Sequence, residues 1–278
     1  MIDRLRSWLG WRRILRSCTY DPETSPAHDE PGSRDVLVVG CPRSGTSLLA
    51  AQIHRPPEAI SCVEPWDGLR MEPAELFRSL RAELESTGAL GRGRLDLSEL
   101  DSGRVQWIRD GEKVFTVPYS RHSLLAVKWP TLWQLLDHLP ETRFLVCIRD
   151  PLEVVTSFGA QPGRLSLGLD YDVAINKRMN DFLRQETSDP LRRRALHWEY
   201  INSRVFSHLT RPNVLAVRYE RWFEDPGDLL SEISMFLETD MSPGRITLRS
   251  PASREYSPET LRVVTELCPT AIELGYGS

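Results

Sequence analysis

The stretch Val36-Leu37-Val38-Val39-Gly40-Cys41-Pro42-Arg43-Ser44-Gly45-Thr46-Ser47, continuing as Leu48 to Ile53, decides how the rest of the chain is arranged. Four consecutive apolar residues, Val36 to Val39, suit a short strand buried on both faces. Gly40 to Gly45 makes a tight loop, and Thr46 to Ile53, free of Gly and Pro, predicts a helix. Such a strand, loop and helix form a cradle in which loop N–H groups and the positive end of the helix dipole converge on an anion.

Gly40 and Gly45 have the spacing of a Walker loop, but Thr46 stands where its lysine belongs. The cation comes earlier, at Arg43. Kinases and NTPases set that lysine on the β- and γ-phosphates, so its absence speaks against triphosphate chemistry. The run Pro42-Arg43-Ser44-Gly45-Thr46-Ser47 resembles the 5′-phosphosulfate loop of sulfotransferases, which use 3′-phosphoadenosine 5′-phosphosulfate (PAPS). The resemblance, nearest to the bacterial and tyrosylprotein sulfotransferase branch, implies PAPS as cofactor, 3′-phosphoadenosine 5′-phosphate (PAP) as product and no required metal. It puts Ser44, Gly45, Thr46 and Ser47 on the 5′-phosphate.

The 278 residues have ordinary composition for a chain with a sizeable core: 40% hydrophobic and 27% charged. A net charge of −4 argues against nucleic acid as a partner. No apolar run reaches transmembrane length. Five cysteines at 18, 41, 62, 147 and 268 lack metal-ligand spacing, and those at 41, 62 and 147 lie in apolar, strand-like surroundings. A reducing cytoplasm is the expected location.

Residues 1–34 read as a basic N-terminal helix and a Pro-rich linker, followed by a single α/β domain over 35–278. Residues 1–18 carry five arginines and a partial apolar stripe, which fits either an appendage packed on its own domain or peripheral contact with a membrane. Further strands are expected at Ala59–Val63, Leu124–Val127, Arg143–Ile148 and Val214–Val217. Helices are expected at Pro73–Ser86, Thr131–Leu139, Leu152–Phe158, Tyr171–Glu186, Pro190–Leu209, Pro226–Leu237 and Pro258–Cys268. Thr87–Gly111 reads as loops with one short helical turn. Alternation of apolar strands with helices predicts a P-loop-type parallel sheet of about five strands flanked by helices on both faces.

Polar residues sit at the carboxyl ends of these strands, the rim where open α/β sheets bind ligands: Arg43, Glu64, Lys128, Arg149 and Tyr219. Arg149 with Ser157 resembles the 3′-phosphate pair of sulfotransferases, and a guanidinium fork suits a phosphate. The structural alternative pairs Arg149 with Asp150 or Asp170. Tyr219, in a strand-Tyr-Glu segment, would contact the adenine by the same resemblance. Glu64 resembles the basic glutamate of tyrosylprotein sulfotransferases and is the candidate general base, with Asp67 and His122 in reserve. Lys128 in Val-Lys-Trp-Pro resembles the Lys-x-Pro element of those enzymes, and no histidine lies between Lys128 and Pro130 to serve as base. Arg43 and Lys128 would stabilise charge on the transferring group.

The expected reaction is in-line sulfuryl transfer from PAPS to a hydroxyl, less favourably an amine, with Glu64 taking the proton. The rivals are a P-loop kinase without the Walker lysine and a non-catalytic nucleotide-binding protein. Carbohydrate, small natural product, lipid and peptide tyrosine all remain open as acceptors, and the oligomeric state is unreadable. Arg249, Ser250 and Arg254 lie where the family places a cofactor-covering loop. The arginine run 192–194 suits a solvated helix face.

Overall fold

A computed structural model describes residues 14–25, 29–90, 95–96, 106–107, 115–161, 163–241 and 254–277. Five strands form one sheet: β1 Asp35–Gly40, β2 Ala59–Val63, β3 Leu124–Lys128, β4 Arg143–Ile148 and β5 Val214–Arg218. Their order across the sheet is β2-β3-β1-β4-β5, and every pairing is parallel. The main helices are α1 Thr46–Ile53, α2 Pro73–Thr87, α3 Pro151–Gly159, α4 Lys177–Glu186, α5 Pro190–Phe206, α6 Pro226–Leu237 and α7 Pro258–Leu267.

Side-chain alternation along β1 assigns the two faces. Leu37 and Val39 join the larger core with Phe158 of α3 and Trp198 of α5. Val36 and Val38 face the other way, against Leu49 of α1 and Ile233 of α6. All six residues of β1 are buried, which is why the strand reads as a continuous apolar run. The expected fold class is therefore the observed one, a parallel sheet covered on both faces.

Three elements differ from the sequence reading, each for a local reason. Pro130–Asp137 is a 3-10 segment, and burial of Leu132, Trp133, Leu135 and Leu136 lets packing set the tighter coil. The α-helix expected from Tyr171 starts only at Lys177, after a 3-10 turn at Ala174–Asn176, and the Asn180 side chain ties down the backbone at Asp170 and Tyr171. Its Oδ1 accepts from the Asp170 N–H at 3.0 Å, and its Nδ2 donates to the Tyr171 carbonyl at 3.1 Å. Within the expected loop and turn from Thr87, Ala89–Leu90 pairs antiparallel with Phe115–Thr116, and Leu95–Asp96 with Gln106–Trp107.

Of the N-terminal segment, Ile14 and Leu15 pack on the larger core, and Cys18 and Tyr20 are buried in it. The arginine run is structural. Arg192 forms a bidentate pair with Glu266, while Arg193 and Arg194 donate to carbonyls of Leu167, Thr187 and Ser166. All five cysteines are buried, and none is in a disulfide among the described residues. No helix among the described residues is long and apolar enough to cross a membrane.

Candidate active site

The order of strands across the sheet is also the order of groups along the site. Val63 and Val38 both stand level with Lys128 in the parallel register, so β2 and β3 end flush while β1 runs on to Gly40, two residues beyond them. The Glu64 N–H donates to the Lys128 carbonyl at 2.7 Å, and the Tyr219 N–H donates to the Ile148 carbonyl at 2.8 Å, next to Arg149. Glu64, Lys128, the glycine loop, Arg149 and Tyr219 thus follow one another along the rim. Four inter-strand gaps make that row roughly 19 Å long. The glycine loop sits at its centre, where the chain's connections reverse direction, the usual ligand crevice of such sheets.

The loop conformation needs its glycines. Gly40 has φ 135°, and a Cβ there would lie 2.4 Å from the Cys147 carbonyl oxygen. Gly45 has φ 93°, and its Cβ would lie 2.4 Å from the Tyr219 ring. The tyrosine can therefore pack directly against the loop only because position 45 has no side chain. Two non-glycine residues on this rim also adopt left-handed backbone, Arg43 at φ 72° and Glu64 at φ 52°. Such strain persists where the surroundings enforce it, and it concentrates at functional sites.

Arg149 is held from several sides. Its Nη1 donates to the Arg43 carbonyl at 3.1 Å and its Nη2 to Glu153 at 2.8 Å. The guanidinium lies 4.0 Å over the Tyr219 ring, and Trp198 donates to the Arg149 carbonyl at 3.0 Å. Glu153 also accepts from the Tyr256 hydroxyl and lies 3.9 Å from Arg254. The alternatives of an Arg149 pair with Asp150 or Asp170 are thus replaced by Glu153, one turn on in α3. Asp150 instead caps that helix by accepting from the Leu152 N–H at 2.7 Å.

Ser157 meets the site through Arg43, whose Nε donates to its hydroxyl at 3.1 Å, and the structure gives it no direct bond to Arg149. Burial and the neighbouring Arg149 push the Arg43 guanidinium below its usual pKa. Two crowded arginines leave a demand for an anion.

Glu64 and Lys128 form a buried ion pair through Oε1 and Nζ, with side chains 15% and 3% exposed. Of the reserve bases, Asp67 pairs with Arg70 at 3.0 Å. His122 lies before β3, at the opposite end of the strands from Lys128, where its carbonyl accepts from Arg34. Neither lines the cavity at the rim. That cavity, of about 290 Å³, runs from Pro42, Arg43 and Thr46 past Lys128 to Thr131, Asp170 and Tyr171.

Asp170 and Tyr171 line the cavity too, and the sequence did not single them out as part of a site. They come from the loop before α4, far in sequence from any rim strand. The Asp170 carboxylate accepts from the Thr131 hydroxyl at 3.1 Å and the Tyr171 N–H at 2.6 Å. Burial raises its carboxyl to about 6, and the charge of Glu64 adds to the rise. Tyr171 and Trp129 both pack edge-on against Trp66, at 5.7 and 5.1 Å between ring centroids. Arg249 and Ser250 lie outside the described residues.

The donor set suits a phosphorylated, sulfated adenosine. The Ser44 hydroxyl and Arg149 Nε are buried without a hydrogen-bond partner among the described residues, and both lie on the loop side of the site. Thr46 and Ser47 open α1, so their N–H groups have no intrahelical acceptor. No cluster of metal-ligating side chains occurs among the described residues.

A family model for the sulfotransferase domain matches residues 33–251, most of the chain. The chain belongs to the sulfotransferase family. The nodulation protein NoeE of Sinorhizobium fredii is 28% identical to this sulfotransferase over 145 residues, 45% of this chain and 32% of the relative. The match thus spans about a third of the relative's length. Among solved structures, the sulfotransferase domain from the curacin biosynthetic pathway covers 89% of this chain and 98% of its own at 16% identity, with a TM-score of 0.46. A sulfotransferase from Alicyclobacillus acidocaldarius covers 88% and 94% at 14% identity, TM-score 0.46. Mouse SULT7A1, solved with PAP, covers 95% of this chain and 72% of its own at 15% identity, TM-score 0.36. The resemblance carried by Pro42–Ser47 is confirmed at the level of the family, and PAPS is the donor that resemblance implied for it.

Proposed function

We propose that this sulfotransferase-family protein moves a sulfuryl group from PAPS to an acceptor hydroxyl, with an amine the less favoured acceptor. The observation that supports it is the level ending of β2 and β3, which pairs Glu64 with Lys128 on the same rim as a phosphate loop, where the Ser44 hydroxyl and Arg149 Nε have no partner among the described residues. PAPS supplies an activated sulfuryl group whose leaving group is the 5′-phosphate of PAP. The amides of Ser44 to Ser47 bind that 5′-phosphate, as loop and helix N–H groups do for anions. Arg149, flat against Tyr219, binds the 3′-phosphate, and Ser157 assists by holding Arg43. Tyr219 meets the adenine end.

Glu64 takes the proton of the attacking hydroxyl on Oε2, the oxygen that Lys128 does not hold. A bond forms from the acceptor oxygen to sulfur while the bond from sulfur to the bridging phosphate oxygen breaks. Lys128 and Arg43 stabilise the charge that gathers on that bridging oxygen. The work is positioning and fixed electrostatics, as in phosphoryl transfer.

Five buried cysteines outside any disulfide among the described residues support a cytoplasmic location. Packing of Ile14 and Leu15 on the core supports an appendage held by its own domain over a membrane contact.

A transfer assay with 35S-labelled PAPS and a cell extract tests the activity. Labelled product should form with the wild-type protein and fall to background with Arg43→Ala, which still binds PAP. Full turnover by Arg43→Ala removes Arg43 from the reaction, and no product from the wild type removes the activity.

A further inference from the structure

The acceptor end of the cavity holds a second carboxylate with unused capacity. Asp170 is buried at 5% exposure and lines the same cavity as Glu64 and Lys128. A carboxylate offers about four lone-pair directions. Asp170 uses one on Thr131 and one on the Tyr171 N–H. Lys128 is committed to Glu64. Arg164 donates at 2.6 Å to the Asp170 backbone carbonyl and pairs at its other edge with Asp172. Among the described residues no cation pairs with the Asp170 carboxylate. A buried charge left in that state is costly unless a donor reaches it.

Its position is also rigid. Asn180 bonds to both the N–H and the carbonyl of Asp170, and the ring of the next residue, Tyr171, is packed edge-on against Trp66. A fixed, donor-seeking oxygen beside the base selects among acceptors.

We propose that Asp170 binds the acceptor by receiving a hydrogen bond from a second donor, a hydroxyl or ammonium group, adjacent to the hydroxyl that Glu64 deprotonates. The acceptor class is then a diol or amino alcohol, and an acceptor with an anionic group at that position is repelled by Asp170 and Glu64 together. This rests on the sulfuryl-transfer reading above.

The test compares cyclohexanol, trans-1,2-cyclohexanediol and trans-2-aminocyclohexanol as acceptors for 35S-PAPS, with PAP affinity measured in parallel by calorimetry. The wild type should prefer one or both bifunctional compounds over cyclohexanol by roughly 100-fold in kcat/KM, because a site built to bond a donor rejects the analogue lacking it. Asp170→Asn should cut that preference at least tenfold, mainly through KM, with PAP affinity unchanged. The amide oxygen of Asn still accepts from a hydroxyl but carries no charge. Partial retention of the diol preference therefore marks a hydroxyl donor, and complete loss of the amino-alcohol preference marks an ammonium. Asp170→Ser provides the same comparison if Asp170→Asn does not fold.

An undiminished preference in these variants, or no preference in the wild type, overturns the assignment. So does a protein that binds PAP yet sulfates none of the three. Failure to bind PAP would instead overturn the sulfuryl-transfer reading beneath it.

Discussion

At one end of the cavity the wall is made of donors: the glycine loop with the first residues of α1, and the Arg149 guanidinium, with the Ser44 hydroxyl buried in that loop behind them. At the other end it is made of acceptors, the Glu64 and Asp170 carboxylates, with Lys128 between the two. The first end is set by backbone geometry within twelve consecutive residues and by the strand beside it. The second is assembled from β2, β3 and the loop before α4. A phosphate needs fixed donors that do not titrate, whereas the acceptor needs a group that can take a proton. On the proposed reading, the difference between the two ends is a division between holding the donor and activating the acceptor.

The sharpest way to break that division is to neutralise the acceptor end alone. Glu64→Gln should lower kcat by roughly 10²- to 10⁴-fold, the usual contribution of a general base, while PAP affinity measured by calorimetry stays within twofold. A parallel loss of PAP affinity would mean that the two ends are not separable.

Removing the cation between them should act on stability as well as on rate. Lys128→Met leaves Glu64 buried and unpaired, which costs about 3–5 kcal/mol in urea unfolding. Glu64→Gln combined with Lys128→Met should regain most of that loss, because no buried charge is left alone. A double variant no more stable than Lys128→Met would show that the pair is not what holds this wall.

Asp170 gives a pH-dependent contrast. Its carboxyl, raised to about 6 by burial, binds a proton more tightly in the folded chain than in the unfolded one. Its contribution to stability is thus fully present below the unfolded pKa of about 4 and is lost as pH rises through about 6. The loss amounts to roughly 3 kcal/mol at most. Asp170→Asn, which does not titrate, should be more stable than the wild type at pH 8 and lose that advantage near pH 4. Thermal melts across this range check it, and a pH-independent difference would contradict the charge argument.

The donor end should give the smallest effect and the most selective one. Arg149→Gln should weaken PAP binding by roughly 10- to 100-fold, as expected for one charge-assisted contact, and leave adenosine 5′-monophosphate binding nearly unchanged. Equal losses for both nucleotides would move Arg149 away from the 3′-phosphate.

The same division explains what was legible in the sequence. All five strands of the main sheet and the helix after the glycine loop could be read, because burial on both faces leaves continuous apolar runs such as Val36–Val39. Glu64 and Lys128 could be read individually, since each directly ends or follows a strand. Their pairing could not, because it depends on β2 and β3 being neighbours in flush register. Asp170 carried no local signal: its role comes from Asn180, ten residues later, and from Thr131 on another element. His122 is no spare base, because it precedes β3 and so lies at the end of the strands away from Glu64 and Lys128. Of the arginines at 192–194, Arg192 keeps an exposed pair with Glu266, whereas the carbonyl partners of Arg193 and Arg194, at Ser166, Leu167 and Thr187, come from turns that no pattern in the sequence links to this helix.

Calorimetry of the purified protein with PAP, adenosine 5′-monophosphate and ATP with magnesium tests the central claim most directly, that the Gly40–Gly45 loop with its cation at Arg43 holds a 3′-phosphorylated, sulfated adenosine. PAP should bind at least tenfold more tightly than either of the others. Uptake of ATP with magnesium together with indifference to PAP would contradict it.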